Sequence, residues 1–598
     1  MAASTTQAVE DKEIEGAKGM SSGSSSLRAA SLPPKVEEKG AAEEEGTALE
    51  KTTSKIEKYP TGAKLTLILL SIYLSVLLVA LDRTIIATAL PQITDKFQSF
   101  GDVGWYNAGF LLPTTALQLF FGRLYTFYSP KWIFITEVFI FEVGSAICGA
   151  APNSVAFIWG RAVAGLGAGG LFNGAMILMM YAAPLEKRPA YMGLLGAVFG
   201  VASVAGPLLG GVFTTKVSWR WCFYINLPIG AIVLVFLFIV VENTPPALGD
   251  LPFKEKLSRI DIPGTLIFFP CIVCLLLALQ WGGQQYPWSS GRIIALLVLF
   301  GVLLIVFIVI QFIRQEAATV PPRIARQRTI AAAGFYAFCL GSSFFIIVYY
   351  LSIWFQAIKG DSAIRSGYST LPFILALVIS SIISGLFVTK VGWYNPSIIA
   401  GGILVPIGNG LFTLFKVDTP HPMWIGIQVL FGFGVGLGLQ QTNIAAQAVL
   451  DKKDAPTGVS LVFFCQGLGG TISVAMAQNI LDNKLIAGLK GYSNISPHDI
   501  ATTGATQLRK AFTPEQLPEV LKVYNHSIII VFYTALAFSC AAIFGGLCME
   551  WKSVKKDKPK KADEESKPEE KKIEESRSKE HKPDEAKPET TVEAAKVE

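Results

Sequence analysis

Five ionisable residues stand inside long apolar segments of the sequence, where a charge is costly and therefore informative. They are Asp82, Arg83, Glu137, Glu142 and Arg161. Asp82 lies late in the first apolar segment and Arg161 lies early in the fourth, so two helices of opposite direction would bring them to a similar depth in the outer half of a membrane. Pairing would lower the cost of burying each charge. The two residues form either a fixed ion pair or a pair whose protonation or partner changes during a functional cycle.

Glu142 lies near the middle of the third apolar segment. The neutral form is the cheaper form of a carboxyl group in apolar surroundings. Glu142 is therefore either a static, hydrogen-bonded group or a group that carries a proton. Glu137, nearer the start of the same segment, fits a structural role better.

Glycine and proline mark the fifth apolar segment. Small residues let helices approach closely, and a proline inside a spanning helix bends it. The pattern indicates either static packing or a contact at which helices move during gating. The candidate gating residues are Gly200, Gly206, Pro207, Gly210 and Gly211.

Polar and aromatic residues are frequent inside the apolar segments of the second half. Polar groups set in an apolar cavity suit a large amphipathic organic ligand. Hydrogen bonds between helices are the other interpretation. The candidate residues of a substrate cavity are Tyr349, Tyr350, Trp354, Gln440, Gln441, Asn443 and Gln466.

These residues are carried by a chain with the composition of a membrane protein. The chain has 598 residues, of which 51% are hydrophobic and 16% are charged, whereas soluble proteins carry about 25% charged residues. Fourteen apolar runs lie between Leu65 and Leu547, and each is close to the roughly 20 residues that a spanning helix needs. The sequence predicts an all-α integral membrane protein with fourteen transmembrane helices and excludes an ordinary soluble enzyme.

The charges of the loops predict the orientation of these helices. Loops on the side of the two tails carry 14 Lys and Arg residues, against 6 in the opposite loops, and this bias places the tails in the cytoplasm. Residues 1–60 and 551–598 are polar and are expected to be disordered. An outward loop is expected over residues 479–525, and it contains two glycosylation sequons, at Asn494 and Asn525.

Four motifs resemble those of the fourteen-spanner drug:proton antiporters of the major facilitator superfamily. Leu81–Pro91 resembles the first-helix motif, and Arg161 with the glycines that follow it resembles the fourth-helix motif. Gly196–Gly211 is similar to the fifth-helix antiporter motif, and Trp219–Gly230 to the segment that enters the sixth helix. The long tails are similar to those of fungal members, which are often exporters of toxins or antifungals.

The resemblance implies two six-helix halves, residues 61–245 and 331–550, around a central cavity. Residues 246–330 would carry the two inserted helices. The fourth-helix motif of the family implies proton coupling through Arg161, and the family's fold implies alternating access by rocking of the halves. Asp82 and Glu142 are the other candidate residues for proton coupling. One motif departs from the family: the loop that follows Gly122 has Thr126 where an acidic residue is usual. The charge network of the cytoplasmic gate is therefore expected to be thinner here.

The function that this resemblance implies is proton-coupled efflux of small organic compounds, such as secondary-metabolite toxins or antifungal drugs. The expected partners are the substrate, protons and membrane lipid, and the expected state is a monomer in the plasma membrane, with a vacuolar or vesicle membrane as the alternative. Two other functions stay open: import of a small molecule such as a siderophore, and a receptor that no longer transports.

An enzyme is not expected. The chain has only four histidines, and none lies deep in an apolar segment, which argues against a histidine-ligated metal site or an intramembrane acid–base catalyst. No phosphate-binding Gly-rich loop followed by Lys and Ser or Thr is present. Accordingly no cofactor, metal or nucleic acid partner is expected.

An epitope tag inserted at Asn494 tests the orientation. It should be bound by antibody in intact cells, because the loop charges place residues 479–525 outside, whereas a tag after Glu598 should be bound only after permeabilisation. A glycan on Asn494 should disappear in Asn494→Gln. The opposite pattern of tag accessibility would reverse the topology.

Overall fold

The computed structural model describes residues 59–99, 102–246, 248–249, 251–283, 285–489 and 513–555. The expectations for residues 1–58 and 556–598, which make up most of the two tails, and for the sequon at Asn494 lie outside these residues.

Fourteen long helices, numbered here α1 to α14, follow one another along the described chain. The first seven are α1 Gly62–Phe97, α2 Val103–Phe127, α3 Pro130–Ala150, α4 Ser154–Ala182, α5 Arg188–Val212, α6 Asn226–Val240 and α7 Ile262–Trp281. The others are α8 Gly291–Arg314, α9 Arg328–Trp354, α10 Leu371–Val391, α11 Asn395–Phe412, α12 His421–Gly438, α13 Ala455–Leu489 and α14 Leu517–Cys548. After a break, α12 resumes as Gln441–Val449. Short helical segments cover Phe213–Val217, Trp221–Tyr224, Phe253–Arg259, Gln315–Ala317, Pro322–Ala325, Phe355–Lys359 and Ala363–Ser369.

The prediction of an all-helical membrane protein is confirmed. Thirteen of the described helices are long and apolar enough to cross a membrane. The long helix outside that set is α2, which has 25 residues and packs against α4, α7 and α13. Because α2 is as long as the other spanning helices and packs among them, we count it as the fourteenth span.

Two helices run further than the apolar pattern predicted, so the outward loop is shorter than residues 479–525. α13 continues to Leu489 and α14 begins at Leu517. Leu481, Leu485 and Leu489 recur every fourth residue and belong to the same buried cluster as Val520 and Leu521. A run of apolar residues ends where polar residues enter, but an amphipathic helix continues as long as one face stays apolar.

The two halves of the bundle meet most closely near the end at which α1 begins and α14 ends, called here the tail end. A Cβ added at Gly193 of α5 would lie 2.5 Å from the carbonyl oxygen of Ser381 in α10. In the same way, a Cβ at Gly122 of α2 would overlap the hydroxyl of Ser460 in α13. At both positions the opposite helix leaves no room for a side chain, through a main-chain atom at Gly193 and through the side chain of Ser460 at Gly122. The tail end is therefore closed in this structure.

The inserted helices α7 and α8 cover the seam between the halves. α7 packs against α2 in the first half and α13 in the second. The ring of Phe268 in α7 lies 4.6 Å from that of Phe307 in α8 and 5.4 Å from that of Phe464 in α13, measured between centroids. The insertion thus touches both halves and is not a separate unit beside them.

Gly165→Ala tests the close packing that glycine allows. A Cβ at this position would overlap the carbonyl oxygen of Phe110, a main-chain atom, so the backbones of α2 and α4 must separate. Overpacking of this kind costs about 1–3 kcal/mol, and the melting temperature in detergent should fall. Gly301→Ala in α8 is the matched control, because no atom lies within 4 Å of its added Cβ. Equal melting temperatures for the two variants would contradict this account of the packing.

Candidate functional site

Asp82 and Arg161 form an ion pair in the interior of the first half. The Nη1 atom of Arg161 lies 2.5 Å from Oδ2 of Asp82, and each side chain is only 1% exposed. The Nε atom of Arg161 donates to the carbonyl oxygen of Tyr106 at 3.1 Å. The pair therefore joins α1 to α4, and the second bond of the arginine adds α2. The depth match read from the sequence is realised as a direct contact.

The surroundings of the pair are apolar. The guanidinium of Arg161 lies 4.4 Å from the ring centroid of Phe110 and 6.0 Å from that of Phe223. The second carboxylate oxygen of Asp82 accepts no hydrogen bond from any described residue. A buried ion pair is strongly destabilised when one partner loses its charge. A proton on Asp82 would therefore change the state of Arg161 more than it would at an exposed site.

Arg83 is a second internal cation, and no role was assigned to it from the sequence. It is half-buried, and its guanidinium lies 5.5 Å from the ring of Phe110 and 5.3 Å from that of Phe172. The ring of Phe172 in turn lies 6.5 Å from Phe463 in α13. Arg83 thus points towards the seam between the halves and is held by cation–π contacts. Its charge inside an apolar segment was the signal for it in the sequence.

Glu142 of α3 is buried against α6. Its carboxyl group is 6% exposed, and neither oxygen has a hydrogen-bond partner among the described residues. Gly230 makes the space, because a Cβ there would overlap the carboxyl group. One turn away, the amide of Asn226 donates to Ser145 at 3.2 Å. Glu142 can hold a proton here, but no base or cation among the described residues forms a hydrogen bond with it.

Glu137 has a partner, unlike Glu142. The hydroxyl of Tyr125 donates to its Oε2 at 2.5 Å, and the side chain is fully buried. Gly170 and Gly174 of α4 leave the room that this pair occupies. The arrangement agrees with the structural role expected for Glu137.

The candidate gating residues of α5 separate into two groups. A Cβ at Gly206 would overlap Thr84 of α1, and a Cβ at Gly210 would overlap Thr88, so both glycines pack within the first half. Gly200 faces Val378 of α10 in the second half. Of the other two residues, Pro207 is half-buried, and a Cβ at Gly211 would lie 3.6 Å from Ile364. α5 therefore contacts α1, which carries Asp82. Nearer the tail end, α5 also contacts α10 of the second half.

The candidate cavity residues do not form one cluster. The hydroxyl of Tyr350 donates to Gln478 at 3.1 Å, and the indole of Trp354 donates to Asn525 at 2.8 Å. Both residues are fully buried, so in this state they join helices. Tyr349 is 51% exposed, and Gln466 is half-buried.

Three further candidates lie where α12 breaks and resumes. Gln440, Gln441 and Asn443 are at most 7% exposed. The side-chain carbonyl oxygens of the three residues, and the amide nitrogen of Asn443, have no hydrogen-bond partner among the described residues. Buried amides without partners are costly, so this break is the part of the second half that would gain most from water or a polar ligand.

One of the two predicted glycosylation sites is buried. Asn525 lies inside α14 and is 7% exposed. Its Oδ1 accepts from Trp354, and its Nδ2 donates to the carbonyl oxygen of Phe415 at 3.0 Å. The Nδ2 atom that would carry a glycan is buried and hydrogen-bonded in this fold, which disfavours glycosylation at Asn525.

The chemistry open to these residues is proton binding and charge pairing. In the described part of the chain, no group of three or more His, Cys, Asp or Glu side chains is placed to hold a metal ion. The strongest arrangement is the Asp82–Arg161 pair, with Glu142 as a separate buried carboxyl.

Comparison with known proteins gives one family. The family model described as Major Facilitator Superfamily matches residues 72–474. A protein named MFS-type efflux pump MFS1 from Trichophyton rubrum is 50% identical over 87% of this chain and 98% of its own length. The rubrofusarin-specific efflux pump aurT of Gibberella zeae is 48% identical over 83% of this chain and 91% of its own. The efflux pump aflT of Aspergillus parasiticus is also 48% identical, over 83% and 98%.

Solved structures agree on the fold. The proton:xylose symporter XylE, bound to a halogenated glucose, superposes with a TM-score of 0.53 at 13% identity, over 82% of this chain and 97% of its own. A bacterial homologue of the human lysosomal transporter Spinster, in an inward-facing and occupied conformation, gives 0.51 at 14% identity, over 82% and 98%. At these identities the likeness concerns the fold alone, and it confirms the predicted fold class.

The energetic coupling of the buried pair can be measured by replacing one or both charges. Arg161→Gln leaves Asp82 buried without its cation and should lower stability by about 3–5 kcal/mol. Asp82→Asn combined with Arg161→Gln removes both charges and should recover most of that loss. The measurement is the melting temperature in detergent. If the double variant is no more stable than Arg161→Gln alone, the residues are not coupled as the geometry indicates.

Proposed function

Because the chain belongs to the Major Facilitator Superfamily, we propose that it is a proton-coupled efflux transporter that exports small organic compounds, such as secondary-metabolite toxins or antifungal drugs, by alternating access. The direction of transport is supported by relatives that are about half identical over most of their length and are named efflux pumps. The single observation that carries the coupling is the buried Asp82–Arg161 pair.

Asp82 is the proposed proton acceptor. It lies towards the end of α1 that is opposite to the tail end, and its free oxygen has no donor among the described residues. A proton that arrives from that side neutralises the carboxylate and removes its attraction for the guanidinium. Arg161 keeps its bond to the carbonyl of Tyr106 and its contact with Phe110. When the proton leaves towards the tail side, the ion pair forms again.

α5 is the proposed connection between the proton site and the gate. Gly206 and Gly210 hold it against α1 within two turns of Asp82. At its tail end the same helix packs on α10 through Gly193 and Gly200. The amide of Ala190 also donates to Thr389 of α10 at 3.2 Å. A shift of α1 that follows protonation would therefore be passed along α5 to the contact between the halves.

The proposal extends to the setting of the protein. We expect a monomer in the plasma membrane, with a vacuolar or vesicle membrane as the alternative, and transport without enzymatic turnover. Glu142 is proposed as a second proton-binding residue, and the buried amides at the break of α12 as contacts for the substrate in the opposite conformation. Import of a small molecule differs only in direction, so a vesicle assay separates the two.

Inside-out vesicles test the coupling. With an acidic interior, vesicles that contain the native chain should accumulate a labelled toxin or fungicide selected from a panel by growth inhibition of a deletion strain. Arg161→Gln, and its double variant with Asp82→Asn, should lose this accumulation and still bind the compound. Arg365→Gln, which breaks an exposed ion pair with Asp361, is the control and should accumulate it normally. Accumulation by the double variant at the native rate would remove the pair from the mechanism.

A further inference from the structure

The insertion between the halves carries a set of polar contacts at the tail end that the proposed mechanism does not use. Glu316 lies directly after α8 in the short turn Gln315–Ala317. Its main-chain oxygen accepts from Nη2 of Arg123 at 2.8 Å, and Arg123 belongs to α2 in the first half. Its carboxylate lies 3.0 Å from Nε of Arg323. The same arginine lies 3.0 Å from Asp454, which directly precedes α13 in the second half.

We propose that the residues Arg123, Glu316, Arg323 and Asp454 form a latch that holds the tail end closed, with Glu316 as the residue that joins the two halves. The inference rests on the alternating-access part of the proposed function and not on the direction of transport. It assigns a gating role to the inserted helices of this chain, and it supplies at the tail end the ionic contact that Thr126 cannot provide.

A buried carboxylate fixes the position of this turn. Asp261, at the start of α7, is fully buried. Its Oδ2 accepts from Gln311 at 2.9 Å and from both the amide and the hydroxyl of Thr319 at 2.8 Å. Its Oδ1 accepts from the amide of Gly264 at 3.0 Å. Because Gln311 and Thr319 lie on either side of Glu316, the turn is held rigidly against α7.

Arg123, at the end of α2 in the first half, is hydrogen-bonded to the same part of the insertion. It is 5% exposed, and its Nη2 also donates to the carbonyl oxygen of Arg259 at 3.1 Å. Without these two acceptors the buried guanidinium would have hydrogen-bond donors left unpaired, which is costly. Arg123 therefore binds the end of α2 to the insertion through main-chain atoms, which do not depend on the side chain at either acceptor position.

Opening of the tail end must break this arrangement. The end of α2 and the start of α13 touch where Gly122 meets Ser460. When they separate, the turn of Glu316 cannot stay bonded both to Arg123 and, through Arg323, to Asp454. The pair of Arg323 with Glu316 is exposed, at 50% and 65%, whereas Asp454 is only 11% exposed in its pair with the same arginine. The strength of the exposed pair is therefore modest. A modest term is sufficient to shift an equilibrium between two conformations severalfold.

Labelling of a single introduced thiol measures this equilibrium. Ser460 is 1% exposed at the contact between α2 and α13, so Ser460→Cys should react with a membrane-impermeant maleimide only when the tail end opens. The reagent is added to inside-out vesicles, and modification of residue 460 is quantified by peptide mass spectrometry. Glu316→Gln and Arg323→Gln should each raise the labelling rate about twofold to fivefold. The double variant should label no faster than Arg323→Gln, because that change already removes the ion pair with Glu316 as well as the one with Asp454.

Glu255→Gln is the matched control. It removes an ion pair of 2.6 Å with Arg259 in the same insertion and at the same end, but that pair joins residues four apart and not the two halves. Its labelling rate should be that of the native chain. Equal rates in all variants, or an equal rise in the control, would overturn the latch. Labelling needs neither substrate nor proton gradient, so a failure of export in the vesicle assay would leave this result unaffected.

Discussion

The cost of placing charge inside a membrane governs the first half of this bundle. Asp82 and Arg161 are 1% exposed and 2.5 Å apart, and each is tolerable there only because of the other. Arg161 also donates a hydrogen bond to a main-chain oxygen of α2, so one guanidinium fixes three helices relative to one another. Any event that neutralises Asp82 alters the constraint on all three helices at once.

The glycines of α5 determine which helices a movement of α1 can reach. α5 lies against α1 through Gly206 and Gly210 and against α10 through Gly193 and Gly200. At these glycines α5 has no side chain of its own between its backbone and the neighbouring helix, so it has little freedom to absorb movement there. Displacement at α1 is therefore more readily transmitted along α5 than lost within the contact. Gly206 and Gly210 therefore differ from Gly193 and Gly200 in the helix that they contact.

The sequence predicted the helices and the pair because both follow from the cost of burial in a membrane. The partners of the α5 glycines could not be predicted. A small residue in a span indicates that another helix packs closely there, but it does not indicate which helix. Tyr350 and Trp354 are similar cases: a polar aromatic residue in a span fits a cavity or an interhelical bond, and only their hydrogen bonds to Gln478 and Asn525 decide. The sequon at Asn525 falls on a buried residue, because a three-residue pattern carries no information on burial.

Thr126 stands where the family usually has an acidic residue, and this single position is a poor guide to the polar contacts at the tail end. The missing acid implied a thinner charge network at the tail end, and this holds for α2 itself. The contacts of Arg123 are nevertheless made, to the main-chain oxygens of Arg259 and Glu316, which no side-chain motif can reveal. These acceptors exist because the buried Asp261 organises the loops of the insertion. A residue that is lost from one helix can thus be replaced by a segment that is nearly 200 positions away along the chain, provided that the fold brings a rigid turn to the same seam.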